Sequence, residues 1–120
     1  MKENAILDKS FAFALRIVQL AKFLESKKRE FVLSRQVLRS GTAMGALVRE
    51  AVHAESRADF IHKMSIALKE ANETLYWLDL LHEGEFIDKE SYESIRPDSD
   101  EWVKLLVAIV KTAKVAKRSA

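Results

Sequence analysis

The chain has no cysteine, one proline and three glycines in 120 residues. Without cysteine there are no disulfides and no thiolate metal sites, so disulfide scaffolds, zinc ribbons and iron–sulfur proteins are excluded. Scarce glycine and proline beside 48% hydrophobic residues oppose a turn-rich all-β chain and favour long helices. No apolar run reaches roughly 18 residues, the length a membrane helix needs. No charged N-terminal stretch leads into a short apolar segment with a small-residue cleavage site. The expectation is one soluble cytoplasmic domain with no membrane contact, long enough to bury about two thirds of its unfolded surface.

What is abundant is charge, and it is unevenly spread. Twenty Lys and Arg oppose eighteen Asp and Glu, for a net +2. Residues 1–55 carry ten basic against six acidic side chains (+4), residues 56–101 five against twelve (−7), and residues 102–120 five against none (+5). Such segregation is compatible with a basic surface for a polyanion, although charges distant in sequence can neutralise one another in a fold. The candidate cations are Lys27, Lys28 and Arg29 at a helix end, and Lys104, Lys111, Lys114, Lys117 and Arg118 near the C-terminus.

Apolar spacing predicts four helices. Phe13, Ile17, Leu20 and Leu24 mark the first, over 8–27, with Asp8 and Ser10 as candidate caps. After the polar run Glu25 to Glu30, a second spans 30–53 through Leu33, Val37, Met44 and Val48. Ser56 with Asp59 three residues on reads as a capping box for a third helix, 57–83. Gly84, tolerant of the left-handed backbone, is expected to stop it. A fourth, 88–117, starts behind Asp88. Pro97 lacks an N–H and disfavours helix before it, so a kink or restart is expected there. Short connections make neighbours antiparallel, and the fold class is an all-α, up-down four-helix bundle forming a single domain.

Gly41 and Gly45 sit inside the second helix. A Walker loop needs four residues between its glycines and a Lys after them; the spacing here is one residue short and no Lys follows. The dinucleotide fingerprint needs a preceding strand and a third glycine. Ser40, Gly41 and Gly45 instead place small side chains on adjacent turns, where another helix can approach closely. Each glycine costs about 1 kcal/mol against Ala in an exposed helix interior, which tight packing can offset.

A di-iron bundle is the catalytic alternative, since such bundles use Glu-x-x-His pairs. Glu50 with His53 matches and Asp79 with His82 imitates it. Both histidines end their helices, however, and antiparallel neighbours of that length put their C-termini roughly 35–40 Å apart. No metal, no cofactor and no catalytic residue is therefore expected. Arg39, Arg49, Glu50, Lys69, Glu70 and Glu73 are read as a structural polar network, with Lys69 and Glu73 one turn apart and Arg39 or Arg49 reaching Glu70 between helices.

The stretches "LSRQVLRSGTAMGALVREA" and "SRADFIHKMSIALKEANETLYWLDLL" closely resemble the small bacterial 23S ribosomal RNA intervening sequence proteins. The likeness covers about residues 8–117 and lies in Arg39, Ser40, Gly41, Gly45, Arg49 and Glu50, then in Asp59, Phe60, Lys63, Lys69, Glu70, Glu73 and Trp77. That family is similar to the accessory variability proteins of diversity-generating retroelements, which form five-membered rings and bind nucleic acid and a reverse transcriptase. The resemblance thus implies a homopentamer; Phe31, Trp77 and Trp102 are candidate contacts between subunits, the alternative being that all three lie in the monomer core. It also implies an uninterrupted fourth helix, from which Pro97 departs.

Two functions follow as expectations. The first is a noncatalytic oligomer binding RNA or DNA electrostatically; no aromatic interleaves the cations, so sequence specificity is expected to be low. The alternative is a protein-protein interaction scaffold in which charge serves solubility.

Overall fold

Four helices carry the chain: α1 (Glu3–Lys27), α2 (Val32–Val52), α3 (Arg57–Glu83) and α4 (Lys89–Ser119). The computed structural model describes residues 3–119, and the side chains of residues 5–116. The molecule is a rod of 52 × 22 × 20 Å, whose long axis is close to the roughly 46 Å rise of a 31-residue helix.

Each helix buries the stripe its spacing announces. Ile17 and Leu24 of α1, Val37, Met44 and Val48 of α2, Met64, Leu78 and Leu81 of α3 and Leu106 of α4 are all at most 1% exposed and form one continuous core. Across each seam, residue numbers rise on one helix as they fall on the next. Gly41 meets Ile17 where Gly45 meets Ser10. Ser40 contacts Thr74 where Glu50 contacts Lys63. Asp79 of α3 reaches Tyr92 and Arg96 of α4 where Arg57 and Phe60 lie beside Ala108 and Thr112.

Several helix ends differ from their expected form. α1 starts at Glu3, so Asp8 and Ser10 lie inside it; Ser10 is buried and its hydroxyl donates to the Leu7 carbonyl within the same helix. α2 is capped from outside by Glu30, whose carboxylate accepts from the backbone N–H groups of Val32, Leu33 and Ser34 at 2.9–3.1 Å. Three orphan donors and the positive end of the helix dipole are thus met by one anion. Ser56 caps α3 by accepting from the Asp59 N–H at 3.0 Å, while the Asp59 carboxylate reaches back to the N–H of Glu55.

Gly84 does not supply the left-handed residue that ends α3: its φ is −81°, and the positive φ of 64° belongs to Glu85. The Glu85 N–H bonds to His82 and that of Phe86 to Leu81, the paired bonds of a Schellman motif. Glycine at position 84 answers crowding instead. A Cβ there would sit 3.0 Å from the Leu80 carbonyl oxygen and 3.4 Å from the Phe86 ring. Asp88 caps α4 through the Ser91 N–H at 2.8 Å, a bond that holds its carboxyl below the usual range. α4 then runs from Lys89 to Ser119 as a single helix with Pro97 inside it, so the chain does not restart there.

Candidate nucleic-acid interface

In the C-terminal half of α4, Trp102, Leu106, Val110 and Ala113 turn inward at helical spacing. The same period puts Lys104, Lys111 and Lys114 outward and exposed. Lys104 lies about 10 Å of helix rise from Lys111, and Lys114 follows one turn later. The Lys104 ammonium is held 3.1 Å from the Asp100 carboxylate. No ion pair among the described residues engages Lys111 or Lys114. Lys117 and Arg118 lie beyond the described side chains.

Two further cations border this strip. Lys9 of α1 lines a cleft of about 390 Å³ with Lys104, and Arg57, the first residue of α3, lines another with Ala108 and Thr112. The exposed positions between the lysines are Val107, Ala108 and Thr112, so the strip offers charge and a small aliphatic surface but no ring on which a base could stack.

The other basic cluster is at the opposite end of the rod. Lys28 shares a cleft with Glu83, Glu85 and Asp88, and its charge helps keep the Asp88 carboxyl low, after the larger effect of the Ser91 hydrogen bonds. Arg29, itself at a positive φ of 54°, lies over the Phe31 ring at 5.3 Å. Lys27 ends α1 as an exposed residue. Asp88 and Lys114 are 26 residues apart along one helix, roughly 39 Å. Lys27, Lys28 and Arg29 therefore form no common surface with Lys104, Lys111 and Lys114, and their end of the molecule is rich in carboxylates.

The polar network lies on the α2–α3 seam. Arg39 donates to Glu70 at 2.9 Å and also to Glu73, whose Oε2 accepts the Trp77 indole N–H at 2.9 Å. Those donors, Trp77 first and Arg39 after it, hold the Glu73 carboxyl below its ordinary range, and the Arg39 guanidinium is raised chiefly by Glu70. Beneath them, Thr74 Oγ1 is 2.8 Å from both the Ser40 hydroxyl and the Glu70 carbonyl. Lys63 pairs with Glu50 at 2.8 Å. Lys69, expected to meet Glu73, is exposed, and Glu73 is engaged from the α2 side instead. Arg49 faces α1 beside Gly45 and does not meet Glu70.

Sequence reasoning also missed contacts that depend on α4. Arg16 of α1 reaches Asp98 at 2.6 Å and the Ser94 hydroxyl at 2.7 Å. The His82 and Tyr92 rings stack at 4.1 Å, and the Tyr92 hydroxyl donates to Asp79 at 2.6 Å, which raises the phenol. The signal available in sequence was only an acidic run around Pro97. Of the three aromatics considered for subunit contacts, Trp102 is 5% exposed and belongs to the core, and Trp77 is half-buried on its own network; Phe31 is exposed. Among the described residues no three His, Asp or Glu side chains converge as a metal-holding group. No described helix is long and apolar enough to cross a membrane.

A family model for the 23S rRNA-intervening sequence protein matches residues 2–108. A crystal structure of a protein with unknown function from the S23 ribosomal protein family of Bacteroides thetaiotaomicron VPI-5482 is 60% identical, with a TM-score of 0.88 over 92% of this chain and 99% of that one. None of the curated proteins matches. Sequence pattern, four-helix architecture and both matches agree: the chain belongs to the 23S rRNA-intervening sequence protein family.

Proposed function

We propose that the protein is a noncatalytic, oligomeric binder of RNA or DNA that contacts phosphates through the C-terminal half of α4 with little sequence preference. The observation that carries this reading is the outward row Lys104, Lys111 and Lys114, of which the last two face solvent without a carboxylate partner among the described residues. Lysines on a helix that lack base-stacking neighbours bind the polyanion through counterion release, so affinity falls steeply with salt. The ribosomal RNA insertion named in the family's description is consistent with an RNA target. Resemblance to ring-forming relatives supports a homopentamer, in which each basic row is repeated around the axis and weak contacts add.

Fluorescence anisotropy with short RNA and DNA probes across a salt series tests this. Binding at micromolar protein in low salt is expected. Replacing Lys111 and Lys114 by Ala should reduce the salt slope by about one per lysine. Absence of association at low salt, or an unchanged slope, overturns the proposal. The exposed apolar side chains Phe11, Leu15 and Phe23 of α1 favour a second reading, a protein-protein interaction scaffold. It requires a partner that stays bound after nuclease treatment.

A further inference from the structure

The outer crest of α3 carries a ring, a cation and a ring at equal intervals. His62, Lys69 and Tyr76 follow one another every seven residues, about 10 Å of rise, and all three are exposed. The flanks on either side are occupied. Lys63, Glu70 and Glu73 are engaged by Glu50 and Arg39 of α2, and Asp79 by Tyr92 and Arg96 of α4. Tyr76 is the most open of the crest side chains, at 59%. Its ring makes a T-shaped contact with Trp77, centroids 5.0 Å apart and planes at 69°, and the Trp77 indole is pinned in turn by its N–H to Glu73. Such a contact steadies the Tyr76 ring and leaves at least one of its faces open. Asn72, exposed one turn before it, adds an amide that both donates and accepts.

We propose that this crest takes an unpaired stretch of RNA or DNA, with bases stacked on Tyr76 and His62 and the phosphates between them held by Lys69. The inference rests on the nucleic-acid reading above and names its substrate class, a single strand. The α4 row has cations without a ring, and the α3 crest has rings beside that row. Asp79 meets Tyr92 and Arg96 near one end of the α3–α4 seam, and Arg57 and Phe60 lie beside Ala108 and Thr112 near the other. Between those levels Lys69 comes near the height of Lys104, and His62 near that of Lys111. Packed helices lie about 8–10 Å apart axis to axis, so a strand along the crest is flanked by the α4 lysines. Paired bases keep their faces inside the duplex stack, out of reach of both rings, and a duplex therefore finds the lysines alone.

Charge selects a polyanion and bounds its extent. Over residues 61–72 of α3 and 101–116 of α4 the carboxylates are Glu70, held by Arg39, and Glu101, in the cleft on the α1 side. Lys69, Lys111 and Lys114 enter no ion pair among the described residues. Past Tyr76 the sign changes: Asp79 and Asp100 are shared with Arg96 and Lys104, Glu93 is 3.9 Å from Lys89, and the Glu83 side chain is 83% exposed. Before His62, Asp59 is turned back to the Glu55 N–H. Each end of the basic stretch thus meets the strand with a ring, which takes the uncharged base, and the cations lie between.

Fluorescence anisotropy of the full-length protein tests this, using an unstructured oligonucleotide of about 12 nucleotides in RNA and DNA form and the same strand annealed to its complement. The single strand should bind more tightly than the duplex at equal salt. Tyr76→Leu keeps an apolar side chain at an exposed helix position; it should weaken single-strand binding about fivefold to a hundredfold, with the salt slope and the duplex affinity unchanged. His62→Leu should act in the same direction. Tyr76→Phe should bind within about twofold of wild type, since stacking needs the ring alone. Lys69→Gln should lower the salt slope by about one. Circular dichroism checks that each variant stays helical. If neither single strand nor duplex binds at low salt, the nucleic-acid reading of α4 fails together with this one. If both bind but the duplex is preferred, or if Tyr76→Leu and Tyr76→Phe bind equally, the α4 reading stands and the stacking assignment alone is overturned.

Discussion

The two flanks of α1 meet their neighbours in opposite ways. Toward α2 the backbones close in on glycine: a Cβ on Gly41 would stand 2.7 Å and 2.8 Å from two side-chain carbons of Ile17, and one on Gly45 would stand 3.3 Å from the Ser10 carbonyl oxygen. Toward α4 the helices stand apart over open clefts, joined across the gap by Arg16. A small side chain on one flank allows closeness, whereas a long one on the other spans separation. Packing energy rises steeply with fit in a close seam and hardly at all in an open one.

The largest test of that contrast is Gly41→Ala. Ile17 is wholly buried and stiff at χ1, so overpacking should cost about 1–3 kcal/mol, against about 1 kcal/mol recovered from helix propensity. A net loss of up to about 2 kcal/mol is expected in urea unfolding. Combined with Ile17→Ala, the two changes should fall short of additive by about 1 kcal/mol or more, because they share one space. Gly45→Ala, which meets a carbonyl oxygen at the edge of ordinary contact, should lie within about 0.5 kcal/mol of wild type. Equal losses at both glycines would break the account of the closed seam.

This seam shows what could be read without coordinates. The four helices and the small side chains at Ser40, Gly41 and Gly45 follow from spacing, since period and residue size are local properties. The residue that fills the space, Ile17, is set by the register between helices, which no local pattern contains. Helix ends were legible where the cap is of the usual kind, as at Ser56 with Asp59 and at Asp88, and not where it is outside that preference: Glu30 serves as an external anion for α2, and Glu85 takes a backbone conformation normally left to glycine. The charge runs were visible as composition. Their meaning was not, because Lys28 is placed among carboxylates from the α3–α4 connection while Lys111 and Lys114 face solvent.

Ser99 extends the comparison into the core on the α4 side. Its hydroxyl is fully buried with no hydrogen-bond partner, unlike Ser40, which meets Thr74 on the α2–α3 seam. An unsatisfied buried hydroxyl is costly, and Ala is also the better helix former, so Ser99→Ala should raise stability by about 1 kcal/mol. A loss of that size in the same unfolding experiment would show that the hydroxyl is satisfied in solution.

The α2–α3 seam provides an electrostatic reference between the closed and open flanks. Hydrogen bonds from Trp77 and Arg39 lower the Glu73 carboxyl in the folded protein. A carboxyl that is lower when folded stabilises above its unfolded pKa, and that contribution disappears as pH falls through the folded value. Glu73 is 36% exposed and screened, so Glu73→Gln should cost under about 1 kcal/mol at neutral pH. Comparing unfolding midpoints at neutral pH and below the carboxylate range should show the difference shrinking with acid. A difference that grows instead would reverse the assignment.

Arg16 should produce the smallest effect, for a reason that belongs to the open seam. Its guanidinium and the Asp98 carboxylate are 36% and 46% exposed, so water and salt compete with the pair on both sides. Arg16→Met keeps the aliphatic stem along the clefts and removes only the charge and its donors. The expected change is below about 0.5 kcal/mol, fading further as salt is added. If the variant instead loses more than about 2 kcal/mol, beyond what an exposed pair supplies, then the bridge is a structural closure of α1 against α4.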